Sequence, residues 1–129
     1  MKTEPENHSR PAGEQRAAHL LQRTDLAQSE TAYEFQGYDH GAIGASFIVV
    51  DAPPGSGPKR HRHPYAEVFV VLEGHATFTA GEDVIEADGG QVVVVPAGVP
   101  HKFVNSGTGQ LCQVDIHPSD HFITEWLDD

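Results

Sequence analysis

Four residues in two strips of sequence have the types and spacing to hold a metal ion. The first strip, GSGPKRHRHPYAEVFVVLEG over 55–74, carries His61, His63 and Glu67, and the second, GQVVVVPAGVPHKFVN over 90–105, carries His101. His61 and His63 are two residues apart, so on an extended strand they project from one face with Cα atoms about 6.6 Å apart. Two imidazoles then converge on one ion. Glu67 keeps the same odd-numbered parity four residues on, and a slight bend at Pro64 and Tyr65 brings its carboxylate to that face. His101 follows an apolar run and a PAGVP turn, at the head of a strand that can lie beside the first across a barrel. It supplies a fourth ligand.

Three neutral nitrogens and one carboxylate suit iron, manganese, nickel, cobalt, copper or zinc, so the expected cofactor is one divalent transition metal ion of open identity. If coordination is octahedral, two positions stay open for water, substrate or dioxygen, and open positions separate a catalytic site from a structural one. A lone histidine near a loop is usually solvated or simply hydrogen-bonded. His8, His19, His40, His75, His117 and His121 have no same-face partner at ligand spacing and are expected to be structural or solvated. Joint spacing is what sets the other four apart.

The two strips resemble the paired motifs of the cupin superfamily. Its first motif is Gly, five residues, His-x-His, three or four residues, Glu, six residues, Gly, which Gly55, His61, His63, Glu67 and Gly74 match. Its second is Gly, five residues, Pro-x-Gly, two residues, His, three residues, Asn, which Gly90, Pro96, Gly98, His101 and Asn105 match. The 15 residues between the motifs resemble the short spacer of small single-domain bacterial members, and the likeness covers about residues 45–117. The resemblance implies an all-β fold, a small jelly-roll β-barrel (double-stranded β-helix), with His61, His63, Glu67 and His101 around one metal inside. It is specific for fold and metal, and poorly specific for reaction. Asn105 is expected to brace a turn, while Gly74 and Gly98 sit where tight turns want positive φ.

The elements that must position these residues are legible as strands. From about residue 33, short runs of Val, Ile, Phe, Thr and Tyr alternate with DAPPGSGP, LEGH, AGED, ADGG, PAGVP and NSGTG. Strands are expected at 33–38, 45–51, 61–63, 66–73, 75–80, 83–87, 91–95, 100–105, 110–117 and 122–127. Such regular breaks in a short chain suggest a closed barrel or a two-sheet jelly roll, which hides strand edges. Residues 20–35 read as one helical turn or an edge strand. Residues 1–19 have almost no large apolar side chain and are expected to form a flexible polar tail, ahead of one cupin barrel domain over 20–129.

Alternation then gives a lining. Phe69 and Val71 follow the parity of Glu67, and Phe103 follows that of His101, so the pocket should be mostly apolar. On 110–117, burying Asp115 unpaired would be costly, which favours Cys112 and Val114 as the inward residues. Cys112 is then expected to be a small hydrophobe beneath the site. Lys59, Arg60, Arg62 and Lys102 adjoin the histidine motifs. The firmer reading points Arg60, Arg62 and Lys102 onto the outer sheet, and a basic collar drawing in an anionic substrate is the alternative.

Composition limits the function classes. The 129 residues fit one compact domain with a modest core. A formal charge of −11 repels phosphate backbones and anionic headgroups, so neither nucleic acid nor a membrane is an expected partner. No apolar run reaches spanning length and the start is not greasy like a signal peptide, so a soluble, cytoplasmic protein is expected. The single Cys112 makes no intrachain disulfide. A homodimer is expected, in which a strand such as 33–38 covers a partner's sheet edge, with cover inside the same chain as the alternative.

The leading functional expectation is a mononuclear metalloenzyme acting on a small organic molecule, with dioxygenase-type oxidation ahead of isomerase, decarboxylase or lyase chemistry. A non-catalytic small-molecule or metal-binding module is the competing class. The short polar segment before the barrel weighs against a sensor carrying an effector domain.

Overall fold

The computed structural model describes residues 18–128. Among these residues, eleven strands run in chain order: β1 Ala27–Gln28, β2 Ala32–Phe35, β3 Ser46–Ala52, β4 His61–Arg62, β5 Glu67–Glu73, β6 His75–Ala80, β7 Asp83–Asp88, β8 Val92–Val95, β9 His101–Asn105, β10 Leu111–His117 and β11 Glu125–Trp126. Short 3-10 turns at Arg23–Asp25 and Gly37–His40 are the helical elements among the described residues. The ambiguous stretch before residue 35 therefore contains both a helical turn and edge strands. The tail expected over 1–19 lies, apart from Ala18 and His19, outside the described residues. No helix among them is long and apolar enough to cross a membrane.

The strands form two antiparallel sheets, in the orders β1-β2-β3-β10-β5-β8 and β11-β4-β9-β6-β7. From β3 onward the chain alternates between the sheets, apart from the β6–β7 hairpin, which is the jelly-roll arrangement expected from the sequence. The β5 to β6 connection shows why LEGH works as a corner. Gly74 has φ +93°, and a side chain there would place Cβ 2.5 Å from the Gln110 carbonyl oxygen, so the bend requires glycine. β2, the segment expected to cover a partner's edge, pairs with β3 of its own chain from Ala32↔Val50 to Phe35↔Phe47.

The sheets enclose a core whose centre is aromatic. Phe69, Phe78 and Phe103 meet with ring centroids 4.9, 5.6 and 6.0 Å apart in edge-on and tilted arrangements. Val71, Val95, Ala76 and Leu111 complete it. Along β10, the buried residues are Leu111, Gln113, Asp115 and His117. This reverses the face expected from the sequence: Cys112 and Val114 are only half-buried and lie on the outer side. The objection to burying Asp115 is met locally, because Gln113 Nε2 donates a 2.8 Å hydrogen bond to Asp115 Oδ1.

Candidate metal centre

The chain crosses from one sheet to the other between Arg62 and Glu67, and that crossing builds the site. His61 on β4 stands directly opposite His101 on β9, with His63 two residues further on, while Glu67 opens β5 in the other sheet. All four are buried, and their ligand atoms lie within 4.8 Å of one another. The cluster therefore ties the two sheets together at one end of the barrel.

Backbone carbonyls set the histidine tautomers. Nδ1–H donates to the carbonyl of Lys59 in His61 (2.7 Å), of Ile123 in His63 (2.8 Å) and of Val99 in His101 (2.9 Å). A neutral imidazole that donates from Nδ1 offers the lone pair of Nε2. The PAGVP turn supplies the Val99 carbonyl, and Gly98 at φ +80° donates its N–H to the His63 carbonyl at 2.8 Å. Motif residues that never touch an ion thus aim the rings that do.

Nε2 of His63 and of His101 lie 3.0 and 3.1 Å from Glu67 Oε1. Lone pairs facing a carboxylate at that distance repel unless a proton or a cation lies between them. Nε2 of His63 is buried and has no hydrogen-bond partner of acceptable geometry. A convergent set of three nitrogen donors and one carboxylate, one donor of which lacks a partner, fits a divalent transition metal ion.

Electrostatics agree with that reading. Burial lowers His61 to a pKa of about 4, keeping it neutral in mild acid. Burial also opposes charge on His63, but the nearby Glu67 and the Ile123 carbonyl outweigh it and raise its pKa. Burial alone would raise Glu67, yet His101, His117 and His63 hold its carboxyl well below the usual range. The carboxylate is therefore ionised and ready to ligate.

His117, expected to be structural or solvated, belongs beside this cluster. Its Nε2 lies 2.9 Å from Glu67 Oε2, and Tyr65 Oη lies 2.7 Å from its Nδ1. Tyr65 Oη also accepts the Ile123 N–H at 3.2 Å, and its ring stacks on His63 at 5.1 Å. Glu67 thus faces the histidine triad with one oxygen and His117 with the other, and Nε2 of His117, like that of His63, is buried without a hydrogen-bond partner of acceptable geometry. The odd parity shared by Asp115 and His117 was the available signal.

A cavity of about 390 Å³ opens on the cluster. Phe69 and Phe103 line it, whereas Val71 is buried in the core beyond it, and Cys112 and Val114 lie on the outer side. Ile48, Val50 and Asp115 form further wall, and Trp126 stands at the mouth with its ring 5.0 Å from that of His61. The C-terminal segment carrying Trp126 is fastened from outside. Arg62 Nε donates to Glu125 Oε1 at 2.8 Å and an Arg60 guanidinium N–H to the Asp128 carbonyl at 3.0 Å. Those arginines face away from the cavity. Asn105 braces the 105–109 turn, donating from Nδ2 to the carbonyls of Ala52 and Gly109 and accepting the Gly107 N–H.

The family described as Cupin domain matches residues 48–117, more than half of the chain. An uncharacterized protein of Streptomyces coelicolor is 41% identical over 49 residues, which are 38% of this chain and 47% of that one. Among solved structures, a point mutant of Bacillus subtilis oxalate decarboxylase superposes with a TM-score of 0.73 at 21% identity, covering 83% of this chain and 31% of that chain. A structure of the same enzyme at pH 4.6 gives a TM-score of 0.72 at 22% identity, covering 81% and 30%. A third, from work on its Mn(II) centres, gives 0.70 at 22%, covering 79% and 29%. The chain thus spans less than half of the Streptomyces protein and about a third of the decarboxylase, and the structural likeness speaks for the fold.

Proposed function

The chain belongs to the cupin family, and on that footing we propose that it is a mononuclear metalloenzyme acting on a small organic molecule, with dioxygenase-type oxidation as its reaction. The observation that carries the proposal is the orientation of the three histidines. Each spends Nδ1–H on a backbone carbonyl; Nε2 of His63 and of His101 faces Glu67, and the ligand atom of His61 lies within 4.8 Å of theirs, at the wall of a cavity large enough for a small substrate. His61, His63, Glu67 and His101 would hold the ion, and a divalent ion there supplies a Lewis acid and, if redox-active, a one-electron partner. The protein's own part is positional. Tyr65 and His117 steady Glu67, Phe69 and Phe103 keep bulk water from the cavity, and Trp126 narrows its mouth.

Manganese has support from the named Mn(II) centres of the decarboxylase, although iron, nickel, cobalt, copper and zinc suit the same donors. The test is turnover of a 1,2-dicarbonyl, 1,3-dicarbonyl and catechol panel by protein loaded with each metal, in air and under argon. Oxygen uptake in step with substrate loss supports the proposal; equal turnover under argon overturns the oxidative part. A second reading, metal-dependent isomerase, decarboxylase or lyase chemistry, is favoured by one observation: a buried carboxyl group, Asp115, opens on the same cavity as a proton source. Robust ligand binding without turnover on any metal would leave a binding module.

A homodimer belongs to the same proposal. Its support is the outer side of the six-stranded sheet, where Leu72, Val92 and Val94 are each more than half exposed next to the open edge of β8. Sedimentation equilibrium of the full chain tests it, and a strictly monomeric species removes it.

A further inference from the structure

Below the cluster, one inner wall of the barrel is polar where its neighbour is apolar. From His117 inward, β10 presents Asp115 and then Gln113, directly across from Phe69 and Val71 on β5. Asp115 is 3% exposed and Gln113 fully buried, and a successive inward position on a strand is about 6.8 Å away. Asp115 therefore sits one step deeper in the cavity than the residues around the metal centre. Gln113 Nε2 occupies Asp115 Oδ1, and Asp115 Oδ2 has no hydrogen-bond partner among the described residues. Gln113 Oε1 is buried without one. Unmet polar groups in an apolar wall cost stability, so their presence calls for a partner that arrives from outside the chain.

The sign of that partner follows from the surroundings. The described lining of the cavity contains no lysine or arginine, and Glu67, one inward position away on the neighbouring strand, is already ionised. Among the cavity's side chains a second buried carboxylate finds no cationic partner, and with Oδ1 accepting from Gln113, Asp115 is placed to meet a ligand as a neutral acid. Burial and the Glu67 charge both push its pKa well above the ordinary value. A neutral carboxyl whose Oδ1 already accepts from Gln113 has an O–H to donate into the cavity.

Resting on the metal-centre reading above, we infer that Asp115, held by Gln113, is the second recognition point of the cavity, donating a hydrogen bond to a carbonyl or hydroxyl oxygen of the substrate. The substrate class is then a small oxo- or hydroxy-carboxylate: its anionic end reaches the histidine cluster, its alkyl middle lies along Phe69 and Ile48, and its second oxygen meets Asp115 a few carbons away. A site built around such a donor rejects an analogue that lacks the oxygen, because the donor is left buried and unpaired.

The experiment uses full-length protein loaded with Co(II), whose visible d–d absorption reports ligands at the cluster without turnover. The probes are 4-oxopentanoate, pentanoate, which differs by the missing ketone oxygen, and 4-aminobutanoate, which carries a cation instead. Wild type is expected to bind 4-oxopentanoate about fivefold to tenfold more tightly than pentanoate, the worth of one neutral hydrogen bond. D115L and the smaller D115A lose that preference while keeping one Co(II) per chain, and they bind pentanoate at least as tightly as wild type, since no donor is left unpaired. D115N keeps most of it, since the amide still donates. Equal binding of the two acids by wild type, a preference that survives in D115L and D115A, or tighter binding of 4-aminobutanoate overturns the inference while the metal centre stands. Failure of wild type to bind Co(II) at all overturns both.

Discussion

The two ends of the barrel interior are made by the same strands with opposite chemistry. At one end β5, β9 and β10 contribute Glu67, His101 and His117; further along the same inner faces they contribute Val71, Phe103 and Leu111. The apolar end needs only volume and shape, and its three phenylalanines satisfy each other. The polar end is different. Its donors are held by carbonyls from the Lys59, Val99 and Ile123 positions, and Nε2 of His63 and of His101 is thereby aimed at a carboxylate oxygen of Glu67. The strands carry both ends, and the loops decide which end does chemistry.

The sharpest way to break this contrast is to remove a donor. His61→Ala or His101→Ala is expected to abolish stoichiometric metal while the far-ultraviolet circular dichroism stays that of a folded β protein; full metal retention in both would refute the assignment. The converse change is Phe78→Ala, at the apolar end. It should cost about 3–5 kcal/mol in denaturant unfolding and leave one metal per folded chain. If instead the metal were lost with the phenyl ring, the two ends would not be independent.

Adding metal should stabilise the wild type by about 2.7 kcal/mol at a hundredfold excess over Kd, and the His101→Ala variant by nothing. Tyr65→Phe is a smaller perturbation. It takes the hydroxyl from His117 and the Ile123 N–H, and metal affinity should fall roughly tenfold. An unchanged affinity would mean that Glu67 needs no support on that side.

How far the contrast could be seen in advance differs between the ends. The spacing of His61, His63, Glu67 and His101 was legible because short-range alternation within a strand is a local property, and the Val-rich runs marked the strands within a residue or two. The inner face of β10 is not legible in the sequence, for a physical reason. Alternation says that 111, 113, 115 and 117 share a face but not which face, and the cost of burying Asp115 is offset by a Gln113 hydrogen bond that no local pattern announces. The role of Trp126 was hidden for another. Its neighbour in space, His61, is paired to it through β4 and β11, about half the chain apart, and no local pattern announces such a pairing.

Acid and base sharpen the comparison further. Asp115→Asn should stabilise the protein near pH 7, because a carboxyl whose pKa is raised on folding supports the fold below its ordinary value of 3.8 and loses that support as pH rises. The advantage of the variant should shrink toward pH 4. His61 acts in the other direction in metal-free protein. Its pKa drops from 6.5 to about 4 on folding, so its contribution is intact above 6.5 and is lost as pH falls from there toward 4. His63, raised on folding, partly opposes this, supporting the fold below 6.5 and losing that support at higher pH. Comparing pH–stability curves of wild type, Asp115→Asn and His61→Ala separates these contributions.

The central claim is that one ion is gripped by His61, His63, Glu67 and His101, and the protein carries its own reporter. Trp126 is the single tryptophan, and its ring lies 5.0 Å from that of His61. Titrating metal-free protein with Co(II) while following tryptophan fluorescence should give quenching that breaks sharply at one ion per chain and is absent in His101→Ala. Fluorescence that stays flat through several equivalents, or that falls identically in the variant, contradicts the account.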